Sequence, residues 1–263
     1  MRMRRALAAC LILLTACGTP TPTPEPIPRT VRAKMFWVAD TGTAIRLFRE
    51  TASVRRTDTP GLTALRYLVA HRPVDPDYTS LWPTDTVVNS VTISGAEATV
   101  DLASARLNVG AEAESLAVQQ LLWTLLAAEP TLSSMRLTVD GRTVESLAGH
   151  VDATQSFTRP PAYSVVAIVW LLSPAEGDMV TGPTVTLSGM ACTFEANVVW
   201  TIRQGSKIVK SGSAIAAEAC PTWSPWSVEV TGLAPGTYVA DAADYSAKDG
   251  SLLVRDTKTF TVR

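Results

Sequence analysis

AEAESLAVQQLLWTLLAAE, residues 111–129, is the stretch whose reading decides the fold. Ala117, Leu121 and Leu125 recur at every fourth position, and Val118, Leu122 and Leu126 form the adjacent row. That periodicity is helical, since side chains three and four apart share a face. Pro130 ends the helix, because proline lacks the N–H and crowds the preceding turn. The helix is expected to lie across a small sheet, with Leu121, Leu122 and Leu125 buried and Glu112 and Glu114 exposed. Trp123 reads as core, with partner contact as its other reading.

Working outward, Ala33 to Ala39 and Ala44 to Val54 read as strands. Gly61 to His71 reads as a short helix with Leu62, Leu65, Leu68 and Val69 on one face. Asn89 to Leu102 is a hairpin candidate. In it Val91 and Ile93 lead into a Ser94-Gly95 turn, and Ala98, Val100 and Leu102 alternate beyond it. Ser134 to Val139 is a strand ending at Asp140-Gly141, and Arg142 to Leu147 is placed to pair back. Residues 33–157 thus form an α+β unit, a small sheet with two packed helices.

Pro160-Pro161 marks a linker over residues 158–164. Beyond it Val165 to Leu172, Thr184 to Ser188, Val198 to Arg203, Lys207 to Ala214, Trp226 to Val230, Thr237 to Asp241 and Ser251 to Val262 read as strands. Gly205-Ser206, Gly232, Pro235-Gly236 and Asp249-Gly250 punctuate them, with no long helical pattern between. Residues 165–263 therefore read as an all-β sandwich.

The opposite end of the chain reads as an address. Arg2, Arg4 and Arg5 precede an apolar run from Ala6 to Leu14 that is too short to span a bilayer. Leu14-Thr15-Ala16-Cys17 matches the bacterial lipobox, so residues 1–16 are expected to be removed and Cys17 acylated. Two acyl chains there suffice for stable anchoring. Leu7-Ala8-Ala9-Cys10 also fits, but with almost no apolar run before it, so Cys10 is read as lost with the signal. Residues 17–32 carry alternating prolines from Pro20 to Pro28 and read as an extended stalk of about 3 Å per residue.

Charged residues make up 18% of the 263-residue chain and hydrophobic ones 46%, enough for packed cores. Of 23 Lys+Arg, removal of the three signal arginines leaves 20 against 24 Asp+Glu, a net charge of −4. That balance, with no basic run, argues against nucleic acid as a partner. Four cysteines occur. With Cys10 removed and Cys17 acylated, Cys192 and Cys220 remain, and in an oxidising exported compartment they read as a disulfide. The other reading is two separate buried thiols.

Catalytic signatures are missing: no Gly-x-Ser-x-Gly, no Walker loop, no Cys-x-x-Cys and no His-x-x-x-His. His71 ends a helix, where bonding the last carbonyls is an ordinary role. His150 follows the Gly149 turn and also reads as structural. Asp140, Glu145, His150 and Asp152 match no ligand spacing. Asp241, Asp244 and Asp249 admit a calcium reading, but Asp249-Gly250 is also an ordinary hairpin turn. Phe194 reads as core. Glu195 and Asn197 either satisfy buried backbone groups or line a ligand surface. Trp200, Trp223 and Trp226 either pack around the cysteine pair or offer faces for sugar stacking. No cofactor and no metal is expected.

Two resemblances cover nearly all of the chain beyond the stalk. Val87-Val88-Asn89-Ser90-Val91-Thr92-Ile93-Ser94-Gly95, Ala98-Thr99-Val100-Asp101-Leu102, Gln120 to Leu125, Leu137-Thr138-Val139-Asp140-Gly141 and Gly149-His150 carry the first. On these, residues 33–157 resemble the GerMN domain of sporulation and spore-germination proteins. Ser173-Pro174, Val185 to Gly189, Phe194 to Val198 and Tyr245 to Ser251 carry the second. On these, residues 165–263 resemble the immunoglobulin-like domain of bacterial spore-germination proteins. The resemblance implies non-enzymatic extracytoplasmic modules, some of them lipoproteins, with GerMN related to ring-building folds of secretion complexes. It also implies a candidate surface at Glu195, Asn197, Ser246, Lys248 and Asp249.

The expected function is a membrane-anchored, non-enzymatic adaptor or assembly module of the cell envelope. Its expected partners are the membrane, through the acyl chains on Cys17, and an envelope protein or peptidoglycan. A lipoprotein that binds wall glycan or a small ligand is the alternative, and a wall-modifying enzyme the third reading.

Overall fold

The structure, a computed structural model, describes residues 30–103 and 105–263. Cys17, the signal and the proline-rich stretch up to residue 29 lie outside the described residues. Strands β1 (Thr30–Asp40) and β2 (Ile45–Arg55) pair antiparallel as a long ribbon. Helix α1 (Pro60–Ala70) follows, then β3 (Val87–Ser94) and β4 (Glu97–Ala103), helix α2 (Ala111–Ala128), β5 (Ser134–Val139) and the short β6 (Phe157–Thr158). The last four strands form one sheet in the order β3-β4-β5-β6. Only β4 and β5 run parallel, and a parallel pair needs a long crossover, which α2 supplies.

Thr59 caps α1 by accepting the Leu62 N–H, Pro60 opens its first turn, and His71 closes it with its N–H on the Tyr67 carbonyl. The His71 ring stacks on Tyr67 and bonds the same carbonyl through Nδ1 at 3.0 Å. Helix α2 is buried on most of its circumference, with Glu112 and Ser115 exposed and Gln119 and Trp123 half-buried along one stripe, and Leu121, Leu122 and Leu125 have no exposed surface. Such burial suits a helix covered on more than one side. Leu125 packs into α1 at Gly61, while the Thr124 hydroxyl accepts the Phe36 N–H of β1 at 3.1 Å. Gln120 accepts the Leu81 N–H, and the Ala117 carbonyl accepts the Trp82 indole N–H at 2.9 Å.

Glu114 departs from the expectation of exposure. It has no exposed surface, because residues 146–151 fold over it and hand it their N–H groups. For the same reason Arg142 to Leu147 does not pair back as a strand. After the single Val139–Arg142 bridge the chain leaves the sheet to close over α2.

Beyond β6 the chain builds two facing sheets. The strands are β7 (Val169–Ser173), β8 (Asp178–Val180), β9 (Val185–Ala191), β10 (Asn197–Gln204), β11 (Lys207–Ile215), β12 (Ser224–Val230), β13 (Gly236–Tyr245) and β14 (Leu252–Val262). One sheet runs β12-β9-β7 and the other β11-β10-β13-β14-β8. Alternate residues point inward, so Leu171, Leu187, Val198, Ile202, Trp226, Ala240, Val254 and Phe260 make the core. Cys192 and Cys220 are joined, their Cα atoms 4.4 Å apart and 28 residues apart in sequence. Replacing both with alanine should lower stability by about 3–4 kcal/mol on the chain-entropy account. The check is the urea midpoint with and without reductant; an unmoved midpoint would show that the flanking strands hold this loop unaided.

The strand expected over Val165 to Leu172 divides in two. Leu47 of β2 directs its N–H and carbonyl away from β1, and Val165 and Ala167 take both at 2.9 Å. Strand β7 therefore starts only at Val169. The ribbon and the sandwich meet again where the Thr43 hydroxyl donates to the Leu253 carbonyl at 3.1 Å, and where Arg49 lies over the Trp170 ring.

Candidate interaction surface

Strand alternation divides the five-stranded sheet into a packed inner face and an outer one. On β10 the outer positions are Asn197, Val199, Thr201 and Arg203, and the register sets Ala243 and Asp241 of β13 beside Val199 and Thr201. Arg255 of β14 lies next to Ala243, and on β11 Ile208 lies next to Arg203 and Ile215 next to Asn197. Val199, Thr201, Arg203, Ile208, Asp241, Ala243, Tyr245 and Arg255 line a shallow cleft of about 180 Å³ on this face.

At the centre of the cleft Asp241 is buried, and it has paired with two cations. Arg203 Nε reaches Asp241 at 2.9 Å, Arg255 Nε at 3.4 Å, and the Thr201 hydroxyl donates to it at 2.9 Å. One carboxylate between two guanidiniums leaves this cluster one positive charge in surplus. Beside it, large apolar side chains stand in solvent: Ile208 is 55% exposed and Tyr245 38%, and Ile215, at the Asn197 end of the face, is 68% exposed. Phe194 is 72% exposed just beyond the sheet end.

Phe194 was expected in the core. Glu195 and Ala196 both take positive φ, and that turn directs Cys192 and Ala196 inward while leaving Phe194 outside. Of the other predicted site residues, Glu195 is exposed on the same turn, and Asn197 is half-buried at the start of β10. Ser246, Lys248 and Asp249 form the loop joining β13 to β14. Here the Ser246 hydroxyl accepts the Lys248 N–H, and Asp249 accepts both the N–H and the hydroxyl of Ser251. Those Ser251 bonds hold the Asp249 carboxyl below its usual range. Antiparallel pairing of Val199 with Ala243 carries Asn197 and Tyr245 to one end of the sheet, so the predicted residues share a neighbourhood. Sequence reading missed Arg203, Ile208, Ile215 and Arg255, whose only signal was their alternation on strands read correctly as strands.

The remaining candidates are braces. Asp101 accepts the Thr138 hydroxyl at 2.6 Å, the Gly141 N–H at 2.8 Å and the Asn89 amide at 2.8 Å, tying the β3 bulge to the turn after β5. Burial raises the Asp101 carboxyl, and these bonds more than offset it. His150 gives its backbone N–H to Glu114 at 2.8 Å. Trp200 and Trp226 are buried, and Trp223 gives its indole N–H to the Ala167 carbonyl, so packing takes these rings away from any sugar. Trp123 packs tilted against Phe36, the ring centroids 5.6 Å apart, with Arg159 above its ring. Among the described residues no group of three or more His, Cys, Asp or Glu is placed to hold a metal ion. Among them, too, no helix is long and apolar enough to cross a membrane.

This architecture defines a class: an α+β region of the GerMN kind followed by an immunoglobulin-like sandwich. Residues 34–145 match the family described as sporulation and spore germination. Residues 168–251 match the immunoglobulin-like domain of bacterial spore germination. The two matches lie in tandem, and neither family description names a catalytic activity.

Among solved structures, the first GerMN domain of the sporulation protein GerM from Bacillus subtilis is 23% identical, with 49% of this chain and 98% of that one covered and a TM-score of 0.41. The tandem GerMN domains of the same protein are 13% identical, covering 53% and 49%, with a TM-score of 0.39. A candidate lipoprotein of Clostridium perfringens is 16% identical, covering 56% and 99%, with a TM-score of 0.37. At TM-scores this low the likenesses bear on nothing further. No curated protein matches the chain.

Proposed function

We propose that this chain is a lipid-anchored, non-enzymatic adaptor of the cell envelope. In this reading Cys17 is the acylated anchor, the stretch expected as a stalk over residues 17–32 is the tether up to Thr30, where β1 begins, and residues 33–157 and 165–263 are two units that present the outer face of the five-stranded sheet. The observation that carries it is the Arg203–Asp241–Arg255 cluster with exposed Ile208 and Tyr245 lining the same cleft, and exposed Ile215 and Phe194 towards the Asn197 end of the same sheet. Large apolar side chains gathered in solvent mark an interaction surface rather than a fold requirement. Rings and aliphatics around a surplus positive charge fit a protein that presents apolar side chains about a carboxylate.

A photo-crosslinking residue placed at Ile208 of the full chain in intact membranes tests this, with Ile93 of β3 as the control position. The expected result is one discrete protein adduct from position 208, absent from position 93. Arg203→Glu combined with Tyr245→Glu should abolish it while acyl labelling and protease resistance persist, and Cys17→Ser should abolish the labelling. Equal adducts from both positions would overturn the surface. Turnover of peptidoglycan by the purified chain, lost on changing one carboxylate or histidine, would replace the adaptor with an enzyme.

A further inference from the structure

Where the two regions meet, four polar side chains are closed off from solvent: Asp75, Tyr78, Asp256 and Lys258. Asp75 and Tyr78 come from the segment between α1 and β3, and Asp256 and Lys258 are inward positions of β14. Lys258 Nζ is in direct contact with the Asp75 carboxylate, lies 2.6 Å from the Tyr78 hydroxyl and stands 3.0 Å from Asp256 Oδ1. Tyr78 donates to Asp256 at 2.7 Å, and the Leu171 N–H donates to the other Asp256 oxygen at 2.6 Å. Glu50 accepts the N–H groups of Val74 and Asp75, which fixes the loop bearing Asp75. Phe48 stacks on Tyr78, and Lys258 Nζ lies 4.2 Å over the Tyr78 ring, so the reacting groups sit among aromatic surfaces.

We propose that Lys258 and Asp75 condense into an amide, an intramolecular isopeptide crosslink joining the α+β region to the sandwich. Burial penalises ammonium and carboxylate alike, so transfer of a proton from Nζ to Asp75 Oδ2 trades a costly ion pair for a neutral amine and acid. The neutral amine is then a nucleophile held against a carbonyl carbon, and such fixed proximity replaces a bimolecular encounter. The Nζ lone pair attacks Asp75 Cγ. A second Nζ proton passes to Asp256 and from there to the departing Asp75 hydroxyl, which leaves as water. Nζ keeps one proton, the Cγ–O bond is broken, the Nζ–Cγ bond is formed, and Asp256 returns to its starting state. The reaction needs no oxidant and no activated donor.

Asp256 suits proton carriage, since burial pushes its carboxyl up while Lys258, the Leu171 N–H and Tyr78 only partly restore it. Burial draws the Lys258 ammonium down, and Asp256 and Asp75 more than restore it while they are charged. Once the proton sits on Asp75, the pull of that carboxylate is gone and only Asp256, the acceptor of the next proton, still acts on Nζ. A cleft of about 340 Å³ lined by Arg49, Glu50, Leu172, Glu176 and Lys258 gives the released water a way out. The crosslink would tie positions 183 residues apart and make the two regions one covalent body under load on the tether.

The test is peptide mapping by mass spectrometry of the purified full chain after disulfide reduction and tryptic digestion. Expected is a branched peptide containing both Asp75 and Lys258, one water lighter than its two linear parts, with cleavage after Lys258 blocked. Lys258→Arg should remove the branch, and Asp256→Asn should lower its yield at least tenfold. Cleavage after Lys258 in the unaltered chain, with both linear peptides recovered in full, would overturn the proposal and leave a buried ion pair.

Discussion

Glu114→Ala should destabilise the protein by about 3–5 kcal/mol, the range for stripping a buried charge from its partners. The carboxylate accepts the N–H groups of Leu147 at 2.9 Å, Ala148 at 2.8 Å, His150 at 2.8 Å and Val151 at 3.1 Å, and the Ser146 hydroxyl at 2.8 Å. Alanine leaves four backbone donors facing an apolar helix. Its place in the first turn of α2 adds the favourable end of the helix dipole. Burial pushes the Glu114 carboxyl up, but the bonds from Ala148, Ser146, His150 and Leu147 outweigh it and hold the group below its usual range. The linked stability is then fully present above the unfolded value of about 4.3 and disappears as pH falls through the lower folded value. Urea midpoints measured across the acid range should therefore fall more steeply for the unaltered chain than for Glu114→Gln. Parallel slopes would show that this carboxylate is not the titrating brace.

Gly189→Ala should abolish folding or cost more than about 4 kcal/mol. Gly189 lies on β9, the middle strand of its sheet, opposite Trp226 of β12 and Leu171 of β7. A Cβ there would stand 1.9 Å from the Trp170 carbonyl oxygen and 2.8 Å from Trp226 Nε1. The first obstacle is backbone, and it cannot turn aside as a side chain does. Gly110→Ala is the matched control, because a Cβ at that helix cap meets nothing within 4 Å. Its cost should stay within about 1 kcal/mol. Soluble yield and thermal midpoint of the two variants decide the matter, and equal midpoints would mean that β9 shifts freely.

Periodicity made both helices legible, and punctuation by Gly and Pro made most sandwich strands legible, because those signals are local. Strand β8 escaped notice since it has three residues and pairs parallel with the distant β14. Glu114 was misread for a physical reason. An acidic residue in a first helical turn resembles a solvated one, and nothing nearby announces that residues 146–151 will cover it. The apolar row beside it said only that the helix packs, not that the side bearing Glu114 is covered as well. Phe194 misled in the opposite sense, since hydrophobic character tells nothing of a turn with positive φ at the two following residues.

By itself the sequence determined the order of the two regions, the limits of α1 and α2 to within a residue or so, and the alternation that sorts each sandwich strand into two faces. It also left Cys192 and Cys220 read as a disulfide, on the expectation that Cys17 is acylated and Cys10 removed, with two separate thiols as the other reading. The tertiary structure alone decided that α2 keeps only a narrow exposed stripe, that Gly189 lies against a carbonyl, and that Ile208 and Tyr245 line one cleft with an arginine-clamped aspartate. It alone brought Asp75 to Lys258. Local pattern depends on neighbours in the chain, whereas these arrangements depend on strand pairing and packing between residues scores to nearly two hundred positions apart, which no short-range spacing encodes.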